Sequence, residues 1–221
     1  PEAKTSELPV TSTSKDPNWA AKQLAEIVRS QGEHSATYAI DFATYRNDLK
    51  NLPIGVFDSG VGGLTVLETL LSFDEHHNAT GQPGADGTPD FQNERFVYLG
   101  DQANMPYGNY AAAGKEDYLR ELILKDAMFL LGNRYWPEVA AVAPVFDKPP
   151  VKAIVIACNT ATAYGLEDIR AAIKLWNIPV MVVGVVEAGA ESVAQELTSN
   201  ATSDAVAVMA TVGTCSSGAY P

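Results

Sequence analysis

Residues 153–163 read AIVIACNTATA, and the place where Cys158 interrupts this run decides how the chain folds. Val151 to Ala157 is a short apolar segment in which Val155 and Ile156 are β-branched and no charge follows Lys152, the composition of a buried strand. Asn159, Thr160 and Thr162 are capping-type residues, and Ala161 to Leu175 has helical composition. Cys158 is therefore expected at the carboxyl end of a strand and the amino end of a helix. Backbone N–H groups and the helix dipole favour a thiolate there, which is the reactive form of the side chain. A buried structural cysteine fits the same position, because free cysteines are often simply packed away. Position alone leaves both readings open.

Two further strand ends carry polar residues. Ile54-Gly55-Val56-Phe57 is apolar and runs into Asp58-Ser59, then a glycine-rich turn, then helical sequence from Leu64. Asp58 thus stands at a strand's carboxyl end, where open α/β sheets place their ligands. The turn lacks the G-x-G-x-x-G spacing of a dinucleotide loop, and no G-x-x-x-x-G-K-[ST] occurs in the chain. Residues 95–100 read as another strand, followed by a Pro106-Tyr107-Gly108 turn. The glycine leaves room for a ligand to reach the backbone, and its N–H can bind a carboxylate.

Along the chain, strands are expected near 54–58, 95–100, 151–157, 179–185 and 204–211, and helices near 63–72, 114–131, 161–175 and 187–198. This alternation predicts the α/β class, with a mainly parallel sheet flanked by helices. Residues 74–93 and 132–150, rich in Gly, Pro and polar residues, read as inserted loops that decorate the fold. A loose apolar stripe predicts an amphipathic helix from Trp19 to Ser30.

With 221 residues and 46% hydrophobic content the chain can bury a substantial core. A net charge of −12 argues against a nucleic-acid partner, which would need a basic surface. No apolar run reaches the length of a membrane helix, so no membrane partner is expected. The two cysteines, far apart in sequence, make neither a disulfide framework nor a metal pattern. His34, His76 and His77 lie outside the strand-end motifs, and His76-His77 reads as solvated. No metal site is expected.

IGVFDSGVGGLTV (54–66), YLGDQANMPYG (98–108), KAIVIACNTATA (152–163) and GVVEAGA (184–190) together closely resemble the glutamate racemases of the aspartate/glutamate racemase superfamily. Aspartate racemases differ at the first motif, and arylmalonate decarboxylases lack a cysteine at the place of Cys158. The resemblance implies two similar α/β domains facing each other across a cleft, one catalytic cysteine from each. Residues 53–183 would form the first domain and 184–221 the start of the second, after an N-terminal extension over 1–52. The family's second cysteine lies in a Cys-Thr-His-Tyr-Pro motif that is absent here; Cys215 falls instead in the family's Gly-Thr-x-x-Thr region. The chain is thus expected to be truncated before the second catalytic cysteine and inactive by itself.

The same resemblance implies roles. Cys158 would be the acid/base on the D-glutamate face, with Asp58 binding the substrate ammonium or assisting the thiol. Ser59 would help hold the substrate, and the Tyr107 and Gly108 backbone, with Asn159 and Thr160, would hold its carboxylates. Thr211 and Thr214 are weaker candidates, because Ala210 replaces the expected glycine. The implied activity is cofactor-independent interconversion of L- and D-glutamate, supplying D-glutamate for bacterial peptidoglycan, in a cytoplasmic enzyme with a homodimer as the expected assembly. The rival expectation is a catalytically silent binding module that keeps the cleft.

Overall fold

Ile54–Asp58 (β1) is buried along nearly its whole length, which for a strand means cover on both faces. Phe96–Gly100 (β2) pairs with one edge and Ala153–Ile156 (β3) with the other, both parallel to β1. Met181–Gly184 (β4) adds to the far side of β3, again parallel, giving the order β2-β1-β3-β4. The computed structural model describes Lys22 and residues 40–47, 49–199 and 206–219. Apart from Lys22, the helix expected from Trp19 to Ser30 lies outside them.

Leu64–Ser72 (α1), Gly108–Ala112 (α2), Glu116–Leu131 (α3) and Asn159–Trp176 (α4) lie in the connections between strands, and Val185–Ser199 (α5) and Val212–Ser216 (α6) follow β4. The parallel α/β class expected from the alternation is the one adopted. From β1 the chain moves outward to β2, then crosses back past β1 to β3 and on to β4. The direction of winding reverses between β1 and β3. Open α/β sheets leave a crevice at the carboxyl ends of strands at such a reversal.

The core lies where α3 and α4 pack together and against the sheet. Leu119, Ile123, Leu130, Ile154, Ile156 and Ile169 are all fully enclosed. It extends upstream of residue 53, since Ile40 and Tyr45 belong to the same cluster and Tyr45 Oη donates to the Leu131 carbonyl at 2.9 Å. Arg120 on α3 forks onto Asp168 on α4, Nε to Oδ2 at 2.6 Å and Nη2 to Oδ1 at 2.8 Å. Lys148 Nζ donates to the Leu130 carbonyl at 3.1 Å, so a cation meets the carboxyl end of α3, where the helix dipole favours one. Burial lowers that ammonium to about 8.

α3 and α4 approach closely because Gly165 has no side chain. A Cβ at Gly165 would stand 2.2 Å from Ile123 Cγ2 and 2.9 Å from Ile123 Cβ. Gly165→Ala should gain about 1 kcal/mol of helix propensity and lose about 1–3 kcal/mol to overpacking. The expected net result is a lower urea midpoint with an unchanged denaturant slope. A raised midpoint would mean that Ile123 repacks without strain.

Three local expectations are corrected. Residues 206–211 form no strand, although 204–211 was expected to: Val206, Val208 and Met209 are exposed, and no described strand pairs with them. Apolar alternation makes a strand only where a neighbouring ladder accepts it. α4 begins at Asn159 rather than Ala161, because Cys158 itself is the N-cap. α2 stands where only a turn was expected. The stretch 74–93 joins α1 to β2, and 132–150 joins α3 to β3.

Candidate active site

The β1–β3 register places Phe57 beside Ile156, so the next residues of each strand, Asp58-Ser59 and Ala157-Cys158, emerge side by side at the winding reversal. Ser59 Oγ and Cys158 Sγ lie 3.3 Å apart. Cys158 keeps an extended backbone and caps α4 with its sulfur, which accepts the Ala161 N–H at 3.4 Å. Cys158 is 8% exposed and borders the crevice.

Asp58 is also buried, and its Oδ2 accepts the Gly63 N–H at 2.8 Å. The turn can fold onto the strand ends only because residue 63 is glycine: a Cβ there would lie 2.8 Å from both Ala157 Cβ and Asp58 Cβ. Tyr98 braces the turn from β2, its Oη donating to the Gly60 carbonyl at 3.1 Å. Burial, and then the nearby charge of Asp58, raise the Tyr98 phenol, so it remains a donor.

From β2 the chain enters Tyr107-Gly108 at the start of α2. Tyr107 is 1% exposed yet borders the crevice, its hydroxyl turned inward onto Asp101 and Asp126. The opposite wall comes from α6. Thr211 caps α6 by accepting the Thr214 N–H at 3.3 Å, and Thr214 Oγ1 lies 3.0 Å from both Thr211 Oγ1 and Thr160 Oγ1. Tyr164 Oη adds a bond to the Gly213 carbonyl at 2.9 Å, fixing α6 to α4.

These elements enclose a pocket of about 520 Å³. Cys158, Asp58 and Ser59 line its floor, with Tyr107 and Gly108, Asn159 and Thr160, and Thr211 and Thr214 around it, so every residue expected at the site borders one cavity. Sequence reasoning did not find Thr65 and Val66 on α1, or Val185 at the start of α5. Val185 directly follows β4, so the strand-end rule that identified Asp58 and Cys158 would have found it. Cys215 is exposed and does not line the pocket. Neither inserted loop reaches it either. His76 and His77 lie in the first insertion, facing Asp90 at 3.3 Å and Asp86 at 3.5 Å. Among the described residues no cluster of three potential metal ligands occurs, and no helix is long and apolar enough to cross a membrane.

The pocket's chemistry follows from this inventory. Among the described residues no Lys or Arg lines it, and Asp58 is its one carboxylate. An anionic ligand group would have to be held by N–H and hydroxyl dipoles, which the amino end of α4, Gly108 and the threonines supply. A ligand cation would find Asp58. A thiol between a helix start and a serine hydroxyl can take or return a proton.

No family model matches the chain. It is 37% identical over 167 residues to glutamate racemase of Enterococcus faecalis, covering 76% of this chain and 44% of that protein. It is 34% identical over 173 residues to glutamate racemase of Pediococcus pentosaceus, covering 78% and 48%. The crystal structure of glutamate racemase from Thermus thermophilus in complex with β-chloro-D-alanine aligns at 32% identity with a TM-score of 0.46, covering 77% of this chain and 48% of that one. The chain spans about half the length of the curated relatives it matches.

Proposed function

The chain is related to the glutamate racemases over about three quarters of its length, and from that premise we propose that it is the Cys158-bearing part of a cofactor-independent racemase that interconverts L- and D-glutamate. The observation that carries the reading is the meeting of Cys158 Sγ, Ser59 Oγ and Asp58 at the β1–β3 junction, in a pocket whose remaining polar groups are neutral donors. An α-amino dicarboxylate matches this arrangement. Its ammonium would lie against Asp58, and its carboxylates against the Tyr107-Gly108 backbone, Asn159, Thr160 and the Thr211–Thr214 pair. The D-glutamate formed would be a supply for peptidoglycan.

Racemisation requires a proton to leave one face of the α-carbon and another to arrive on the opposite face. Cys158 would serve one face, as thiolate in one direction and thiol in the other. Donors at the α4 start and Ser59 would stabilise charge on its sulfur, while N–H and hydroxyl groups aimed at the α-carboxylate would stabilise the carbanion-like transition state. Cys215 borders the surface rather than the pocket, so we place the second thiol in the part of the relatives that this chain does not match. The division into a first domain over 53–183 and the start of a second from 184 belongs to the same proposal.

The test separates half-reaction from turnover. The 221-residue chain, incubated with D-glutamate in deuterium oxide, is expected to exchange the α-proton without producing L-glutamate, read by proton NMR and chiral chromatography. Racemisation by this chain alone would place the second base within it. Exchange of aspartate but not glutamate would overturn the substrate assignment, and binding without any exchange would leave a silent binding module.

A further inference from the structure

Behind the pocket, one phenol is shared by two carboxyl groups. Tyr107 Oη lies 2.6 Å from Asp101 Oδ2 and 2.7 Å from Asp126 Oδ2. A phenol has one hydrogen to donate, and a carboxylate has none. Two contacts this short are both hydrogen bonds only when one carboxyl carries a proton and donates it to the phenol oxygen. The surroundings identify which. Asp101 takes the Asn104 amide at 2.9 Å on each of its oxygens, and so is already supplied with donors. Among the described residues, the Asp126 side chain has Tyr107 as its one hydrogen-bond partner.

We propose that Asp126 is a positioning residue for the pocket: protonated, it donates to Tyr107 Oη, Tyr107 donates to Asp101, and this relay fixes the Tyr107-Gly108 backbone at the crevice. The relay ties α3, through Asp126, to the loop after β2 and to the first residue before α2. Its pocket end is the backbone read above as holding a substrate carboxylate, and its functional meaning rests on that reading. The groups facing Asp126 are Tyr107 and Asp101 from the loop after β2 and Lys125 beside it on α3, with Tyr110 of α2 next to Asp101.

Burial, reinforced by the charge of Asp101, pushes the Asp126 carboxyl up to about 7. A carboxyl raised in the folded state stabilises the fold while protonated. That contribution is complete below the ordinary carboxylate range and is lost as pH rises through about 7. Once Asp126 ionises, two carboxylates compete for one phenolic proton and the relay breaks.

The carboxyl carbon of Asp126 and the backbone amide of Gly108, followed by NMR in the ligand-free 221-residue chain from about pH 5 to 9, test this directly. Both signals are expected to titrate together with a midpoint near 7. Asp126→Asn, whose amide donates to Tyr107 at every pH, should hold the Gly108 signal at its low-pH position throughout. Tyr107→Phe should let Asp126 titrate while Gly108 no longer follows. If the phenylalanine variant does not fold, the asparagine variant decides alone. An Asp126 carboxyl ionised across the whole range, or a Gly108 profile identical in wild type and Asp126→Asn, would overturn the proposal. No ligand is required, so the two readings fail separately. Co-titration of Asp126 and Gly108 without any response of Gly108 to added glutamate would sustain the relay and remove glutamate as the ligand.

Discussion

Cys158→Ser is expected to slow α-proton exchange from D-glutamate by at least about a thousandfold, within the range that a positioned acid/base supplies. Serine retains the shape of the site. Its hydroxyl can accept the Ala161 N–H and meet Ser59 Oγ as the sulfur does, at contacts now of 3.4 and 3.3 Å. What it loses is acidity, because an alcohol near neutral pH holds its proton far more tightly than a thiol, whose ordinary pKa is about 8.5. Loss of exchange with an unchanged urea midpoint would therefore report chemistry rather than folding. Exchange within tenfold of wild type would assign the base to another group, and Asp58 would be the first to replace.

Asp168→Ala should cost about 3 kcal/mol of stability, the low end for breaking a buried ion pair. The Asp168 side chain is 3% exposed and that of Arg120 19%, so both charges are largely removed from water and each relies on the other. Burial raises the Asp168 carboxyl, and the Arg120 fork offsets part of that rise. Without the carboxylate, Arg120 still faces Asp117 at 3.1 Å, but that side chain is 61% exposed and the contact is screened by solvent. Urea unfolding should show a midpoint lower by roughly 1 M or more, with the slope preserved. Arg120→Met combined with Asp168→Leu removes both charges and fills the same volume, and should recover most of the loss. If the single substitution costs less than about 1 kcal/mol, the pair is solvated more than its geometry indicates.

The strand ends were legible because a parallel sheet marks them in composition. Each apolar run stops where side chains leave the core, and Asp58-Ser59 and Cys158-Asn159 stand at those stops. Local rules reached Tyr107 and Gly108 for the same reason. They could not reach Asp126, which looks like any polar residue on the helix Glu116–Leu131 until the fold brings Tyr107 over it. Tyr98 was hidden similarly, since its hydroxyl matters only once the turn at Gly60 folds across β2. The strand expected over 204–211 failed in its described part, 206–211, for the converse reason. Alternating Ala and Val carried a strand pattern, but pairing depends on a neighbour that the sequence does not specify.

The stretches 74–93 and 132–150 run from helix to strand, whereas Asp58-Ser59, Tyr107-Gly108 and Cys158-Asn159 stand where the chain runs from strand to helix. In a parallel sheet these lie at opposite ends, separated by roughly 15 Å for strands of this length. The side chains of Val139 and Val142 stand fully in solvent within the second stretch. A fluorophore, affinity handle or whole reporter domain spliced in there would have its own space, with the full height of the sheet between it and the sulfur of Cys158. The second stretch is thus an attachment point that leaves the crevice free.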